Sequence, residues 1–241
     1  MARSGFILLA LMFGASVHAG PLRFGAGYWD YKVTGNEVDN GVRRDFERDL
    51  AVQAAGHLQI SAEYEWRESW YPDLAASYSS FGGDGRTTAQ TGGGLLGGGS
   101  STVTTTHAEL QSYDLVLRWP VRLGRFTLSP GLSLQKLNGE VTVDDRGNNT
   151  LSRQKVDAVF PQIHGELRWQ PYPRLGVSAV VQAISSGEQA AGEYRVLAGW
   201  QVLGPLLLQL GWQGKRYDLQ QTNSEIHARL NGALFQAGLI F

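Results

Sequence analysis

Apolar residues recur at every second position along most of this chain, the period of a strand with one apolar and one polar face. Tyr194, Val196, Ala198, Trp200 and Val202 alternate with Glu193, Arg195, Gly199 and Gln201. Leu175, Val177, Ala179, Val181 and Ala183 alternate with Gly176, Ser178 and Gln182, and Leu206, Leu208, Leu210 and Trp212 with Gln209, Gly211 and Gln213. At the carboxy-terminus Ala233, Phe235, Ala237, Leu239 and Phe241 share one face. Strands are expected near 22–34, 56–67, 73–82, 105–119, 125–143, 155–170, 174–185, 191–203, 206–219 and 227–241. Their connections alternate in length. Thr34 to Ala55, Gly82 to Thr104 and Asp144 to Gln154 are long and polar or Gly-rich, whereas Glu68 to Pro72, Pro120 to Gly124, Pro171 to Pro173 and Gly204-Pro205 are tight. Long loops on one side and short turns on the other, with an even strand count, predict an all-β fold. The form expected is a closed antiparallel transmembrane β-barrel of about ten strands, with eight or twelve as alternatives.

Aromatic residues test the register. If every second strand descends toward the short turns, Trp66, Trp119, Trp169, Trp200 and Phe241 all face outward near its lower end. A girdle at a headgroup layer has that form, and Tyr28, Tyr194 and Trp212 suit the opposite girdle. In a soluble sandwich the same tryptophans would be core. Apolar faces outside and polar faces inside are the reverse of a lipocalin. Pro130 and Pro161 fall within strand patterns and lack an N–H, so bulges or locally broken ladders are expected there.

Composition narrows the class. The 31 glycines and 7 tryptophans suit a barrel with a crowded interior and two aromatic interfaces. No Cys is present, which excludes disulfides, thiolate metal sites and a Cys nucleophile. The formal charge of −1 points to no nucleic acid. Arg3, the apolar run Phe6 to Phe13 and the small residues around Val17-His18-Ala19 predict a signal peptide over 1–19, with a single barrel domain over 20–241. That run is too short for a spanning helix.

Charged residues concentrate on the expected inward face. Glu63, Glu65 and Arg67, Asp114 and Arg118, Gln162, His164, Glu166 and Arg168, and Glu193 and Arg195 point to the lumen, with Arg23 and Lys215 from ascending strands. They read either as a solute or proton pathway or as a cross-linked plug, and a small barrel favours the plug. His57, His107, His164 and His227 show no zinc spacing and no adjacent nucleophile. The stretch Gly92 to Ser100 lacks the Lys of a P-loop and reads as a flexible loop. No catalytic, cofactor-binding or metal residue is assigned.

Three resemblances add to this. The terminal strand ending on Phe241 resembles the β-signal of Gram-negative outer-membrane proteins, which implies the barrel assembly machinery as a partner, and outer-membrane lipid and lipopolysaccharide as surroundings. Glu225-Ile226-His227 resembles the acid-plus-histidine arrangement of omptin proteases, but no paired aspartates complete it, and Asp144-Asp145 has neighbours that do not match. The segments Gly25-Ala26-Gly27-Tyr28-Trp29, Tyr71-Pro72-Asp73-Leu74, Tyr113-Asp114-Leu115, Gly131 with Leu137-Asn138-Gly139, and Phe160-Pro161 resemble the outer-membrane barrels associated with the rhombosortase (GlyGly-anchor) system. The chain departs from them at Glu68-Ser69-Trp70, where that family carries a more Pro-rich turn. The family brings no established activity. The expectation is therefore a non-enzymatic outer-membrane barrel with a largely plugged lumen and a structural, adhesion or secretion-linked role. A narrow solute channel is the alternative, and an omptin-like protease a more remote one.

Overall fold

The computed structural model describes residues 21–39, 42–49, 57–66, 70–91, 100–145, 150–186, 189–221 and 224–241. The signal-peptide segment, Arg67 and the Gly-rich stretch as far as Gly99 lie outside the described residues. The strands are β1 (Leu22–Asp39), β2 (Val42–Asp45), β3 (His57–Tyr64), β4 (Asp73–Thr91), β5 (Ser100–Arg118) and β6 (Val121–Leu123), followed by β7 (Phe126–Asp145), β8 (Thr150–Tyr172), β9 (Leu175–Ser186), β10 (Gln189–Leu203), β11 (Leu206–Gln221) and β12 (Ser224–Ile240). All neighbouring strands pair antiparallel, and β12 returns to β1 with Phe24 opposite Leu239 and Tyr28 opposite Phe235. Ten strands thus close a barrel, with β2 folded onto β1 and β6 onto β7. Closure removes the open edges that hydrocarbon does not tolerate.

The short turns are built as their residues dictate. Gly124 and Gly204 hold φ of 63° and 50°, left-handed values that glycine adopts without steric cost. The upper connections differ from expectation, because strands continue into the segments read as loops. β4 and β5 stay paired as far as Thr91 opposite Ser100, and β7 and β8 as far as Asp145 opposite Thr150. Thr-rich sequence favours extended backbone, and each hairpin satisfies its own backbone polar groups. Pro130 and Pro161 keep register with the neighbour on one side, Gly165 and Leu134. On the other side each falls where the ladder is interrupted: Pro130 between the β5 and β6 pairings, and Pro161 just above the start of β9 pairing at Ile163. The missing N–H therefore interrupts a ladder without a bulge. The register shifts lie instead at Trp169 to Tyr172 and Gln201 to Leu203.

The outward face carries the expected belt. Leu58, Ile60, Leu132, Leu134, Ile163, Val181 and Leu210 are all exposed, as are Trp66, Trp119, Trp169, Trp200 and Phe241 below and Tyr28, Tyr194 and Trp212 above. From Val159 to Trp169 the outward face of β8 is apolar for roughly 33 Å along the strand, which a tilt of about 40° reduces to roughly 25 Å of height. That matches the apolar band of a membrane barrel.

Above the belt the alternation changes phase. On β12 Phe235 faces out and Gln236 in, but further up Leu230 and Ile226 are buried while Arg229 and His227 are exposed. On β8 Ile163 faces out, yet Val156 and Phe160 face in. The same strands thus begin as a membrane barrel and end as a water-exposed one with its own apolar core. Trp29 is the buried tryptophan of this interior, at 1% exposure. Brominated lipid in reconstituted membranes is therefore expected to quench most tryptophan emission, and Trp29→Phe is expected to remove the protected residue of emission. An unquenched fraction that survives this substitution and is not that of Trp70, which is exposed in a short turn, would mean that further tryptophans face inward.

Candidate functional site

The inward face of β8 serves as a depth gauge. From the top it presents Val156 and Phe160, then Gln162 and His164, then Glu166 and Arg168, so the lumen has an apolar, a polar and an ionic layer.

In the ionic layer Arg168 donates to Glu65 at 2.6 Å, to Glu166 at 2.5 Å and to Glu63. Arg118 donates to Glu166 at 2.6 Å, contacts Glu63 and lies 3.9 Å from Asp73. Arg23 reaches Glu65 at 3.0 Å. Asp73 also accepts the backbone N–H of Trp66 at 3.1 Å, fixing the entry of the short turn between β3 and β4. Strands β1, β3, β4, β5 and β8 are therefore cross-linked through three guanidinium groups and four carboxylates. A guanidinium is suited to this, because its planar fork serves several carboxylates at once.

The polar layer above centres on Lys215. Its ammonium lies 3.1 Å from Glu193 and 3.9 Å from Asp114. Gln213 donates to Glu193, Ser112 to Asp114, and Gln135 to both Ser112 and Tyr217. Gln162 donates to Gln135, extending the chain to β8. Lys215 also lies 5.9 Å from the centre of the Phe81 ring, where the layers meet.

The apolar layer was not foreseen. Phe81 stacks on Tyr217 with ring centres 6.0 Å apart, and Phe160 and Leu137 pack in the same cluster. Phe46, from the turn after β2, is 8% exposed and packs into the cluster from above. The Tyr31 hydroxyl donates to the Gly82 carbonyl at 2.9 Å and accepts its N–H at 2.8 Å, so the one tyrosine oxygen is satisfied twice without water.

Every described inward residue of the expected set (Glu63, Glu65, Asp114, Arg118, Gln162, His164, Glu166, Arg168, Glu193, Arg195, Arg23 and Lys215) lies on the lumen side. His57 stacks on Tyr31 beneath the rim. His107 and His227 face outward, His107 beside Asp84 at 2.5 Å and His227 beside Asp218 at 2.8 Å, with Glu225 3.8 Å from its other nitrogen. Asp218 thus joins the Glu225 and His227 pair, on the outer wall of β11 and β12 and away from any enclosed cavity. Among the described residues no group of three or more His, Cys, Asp and Glu side chains is placed to hold a metal.

The ionic network does not fill the lower lumen. Beside it, against the lower parts of β9 to β12, lies a cavity of about 280 Å³ whose wall includes Gly176, Gly199 and Gly238. It shares Arg23, Arg168, Gln170 and Pro173 with a wider space of about 570 Å³ at the mouth of the short turns. A Cβ added at Gly199 would press on Gln209 and Leu207, and one at Gly238 on the Phe24 carbonyl, so glycine keeps that wall thin.

The comparisons bear on the fold. The outer membrane protease OmpT of Escherichia coli superposes with a TM-score of 0.63 at 8% identity, covering 95% of this chain and 99% of that one. The fold is that of an outer-membrane β-barrel. Neisserial surface protein A matches with a TM-score of 0.38 at 11% identity over 92% of this chain and 99% of its own. The attachment invasion locus protein Ail of Yersinia pestis gives 0.37 at 9% over 90% and 99%. No family model and no curated protein matches the sequence. With the girdled apolar belt, this fold sits in the outer membrane.

Proposed function

We propose that the chain is a non-enzymatic outer-membrane barrel whose lumen is closed to solutes, with a structural, adhesion or secretion-linked role. The observation that carries this is the layered lumen. An apolar layer around Phe81, Leu137 and Phe160 lies above a polar one, and ions crossing it would shed their hydration with no group to replace it. The ionic layer beneath adds cross-links between strands. The surroundings of such a barrel are outer-membrane lipid and lipopolysaccharide, and its assembly runs through the barrel assembly machinery, with the β12 strand and Phe241 as the recognised end. The resemblance to rhombosortase-associated barrels favours the secretion-linked role.

The second reading is a narrow channel, favoured by the 280 Å³ cavity and its opening to the mouth. Planar-bilayer recording separates the two. The expected outcome is no steady current from the wild-type protein across the physiological voltage range. A steady single-channel conductance would put the channel in place of the closed barrel.

A further inference from the structure

The lower cavity is walled by polar groups that have no partner of their own. His164, Gln182 and Asp114 are 3%, 4% and 7% exposed, and His164 Nε2, Gln182 Oε1 and Asp114 Oδ1 make no hydrogen bond. Arg195 lines the same cavity, and its Nε is likewise unpartnered. Among the described residues no carboxylate lies within ion-pair distance of Arg195. Buried polar groups are nearly always satisfied, so these four groups, with the Nε atoms of Arg23 and Arg118 unpartnered on the same wall, indicate that something else completes them.

The groups differ in kind. Arg195 offers a guanidinium fork. Gln182 Nε2 lies 3.1 Å from His164 Nδ1, so the amide donates and the imidazole carries its proton on the unpartnered Nε2. That adds a second donor. Asp114 Oδ1 and Gln182 Oε1 are acceptors, and Lys215 approaches the Asp114 carboxylate only at its other oxygen, at 3.9 Å. An anion alone would sit against Asp114, Glu193 and Glu166 on the same wall, and a cation alone against Arg195 and Arg118. A ligand with both charges satisfies both sets.

We infer that this cavity is a binding site for a small zwitterion of the α-amino-acid class, entering from the periplasmic mouth. Its carboxylate meets Arg195 and His164 Nε2, and its ammonium meets Asp114 Oδ1 and Gln182 Oε1. Val180, Leu197 and Leu207 on the same wall provide a small apolar surface for the side chain. About 280 Å³ lies just below the usual range of ligand pockets, which suits a molecule of this size.

The test is calorimetric titration of the folded barrel in detergent micelles with L-alanine, acetate and methylammonium at matched ionic strength. L-alanine is expected to bind saturably and at least tenfold more tightly than either half-charged probe. Arg195→Gln and Asp114→Asn should each weaken it at least tenfold, while Arg153→Gln on the outer wall leaves it unchanged. Heat-modifiable migration on gels identifies variants that fail to fold. The wild-type titration decides the matter even if they do: no saturable L-alanine binding, or acetate binding as tightly as L-alanine, overturns the assignment.

Discussion

Arg168→Ala is expected to lower the melting temperature of the folded barrel more than any other single charge removal in the lower lumen. Arg168 is shared by Glu63, Glu65 and Glu166, which come from β3, from the segment that follows it and from β8. Its side chain retains only 25% exposure, so solvent screening takes little from these contacts. Removing it leaves three carboxylates close together with Arg118 and Arg23 to serve them. Breaking a buried charge network in this way typically costs about 3–5 kcal/mol. Arg168→Lys should recover part of the loss, because an ammonium restores the charge but not the fork that reaches three acids. The measurement is the temperature at which the heat-modifiable form disappears, or a circular dichroism melt in detergent. An Arg168→Ala protein that melts with the wild type would mean that the carboxylates are already hydrated from the mouth.

The position of Arg168 was legible in the sequence because its strand obeys one rule over the membrane span. Leu167 and Trp169 alternate with Glu166 and Arg168, and lipid on one side and a crowded lumen on the other permit only one phase. The same logic placed Trp66, Trp119 and Trp200 outward. It failed above the membrane, where water replaces lipid and the preferred phase reverses. Leu219 and Leu230 lie near the upper ends of their expected strands and Ile226 just beyond one, yet all three face inward and their neighbours Asp218, His227 and Arg229 face water. The signal was present as a phase slip within β12, where Phe235 and Leu234 both follow an apolar pattern and only one parity can face lipid. Thr-rich segments read as loops because composition does not distinguish a polar strand pair above the membrane from an unstructured link. The cavity beside the network was not legible at all. It depends on where Gly176, Gly199 and Gly238 come to lie around a closed circle, and closure is a property of ten strands together.

The apolar layer supports the second large prediction. Leu137 on β7 is 1% exposed and sits among Phe81, Phe160 and Tyr217. Leu137→Asp would place a carboxylate where the surrounding side chains are apolar, and an isolated charge there is relieved only by protonation or by water entering the layer. Either route disturbs the seal. The variant is expected to melt at markedly lower temperature, at a cost of several kcal/mol by analogy with other buried unpaired charges (~3–5), and to show ion current in planar bilayers where the wild type shows none. The lower lumen does not stop that current, since the 280 Å³ cavity runs beside the ionic network and joins the periplasmic mouth. Leu137→Met conserves volume and polarity, should cost less than about 1.5 kcal/mol, and should stay closed. Current in both variants would show that packing and not dryness makes the seal. A silent Leu137→Asp barrel with wild-type stability would place the barrier in the ionic layer, and Arg168→Ala would then be the variant that conducts.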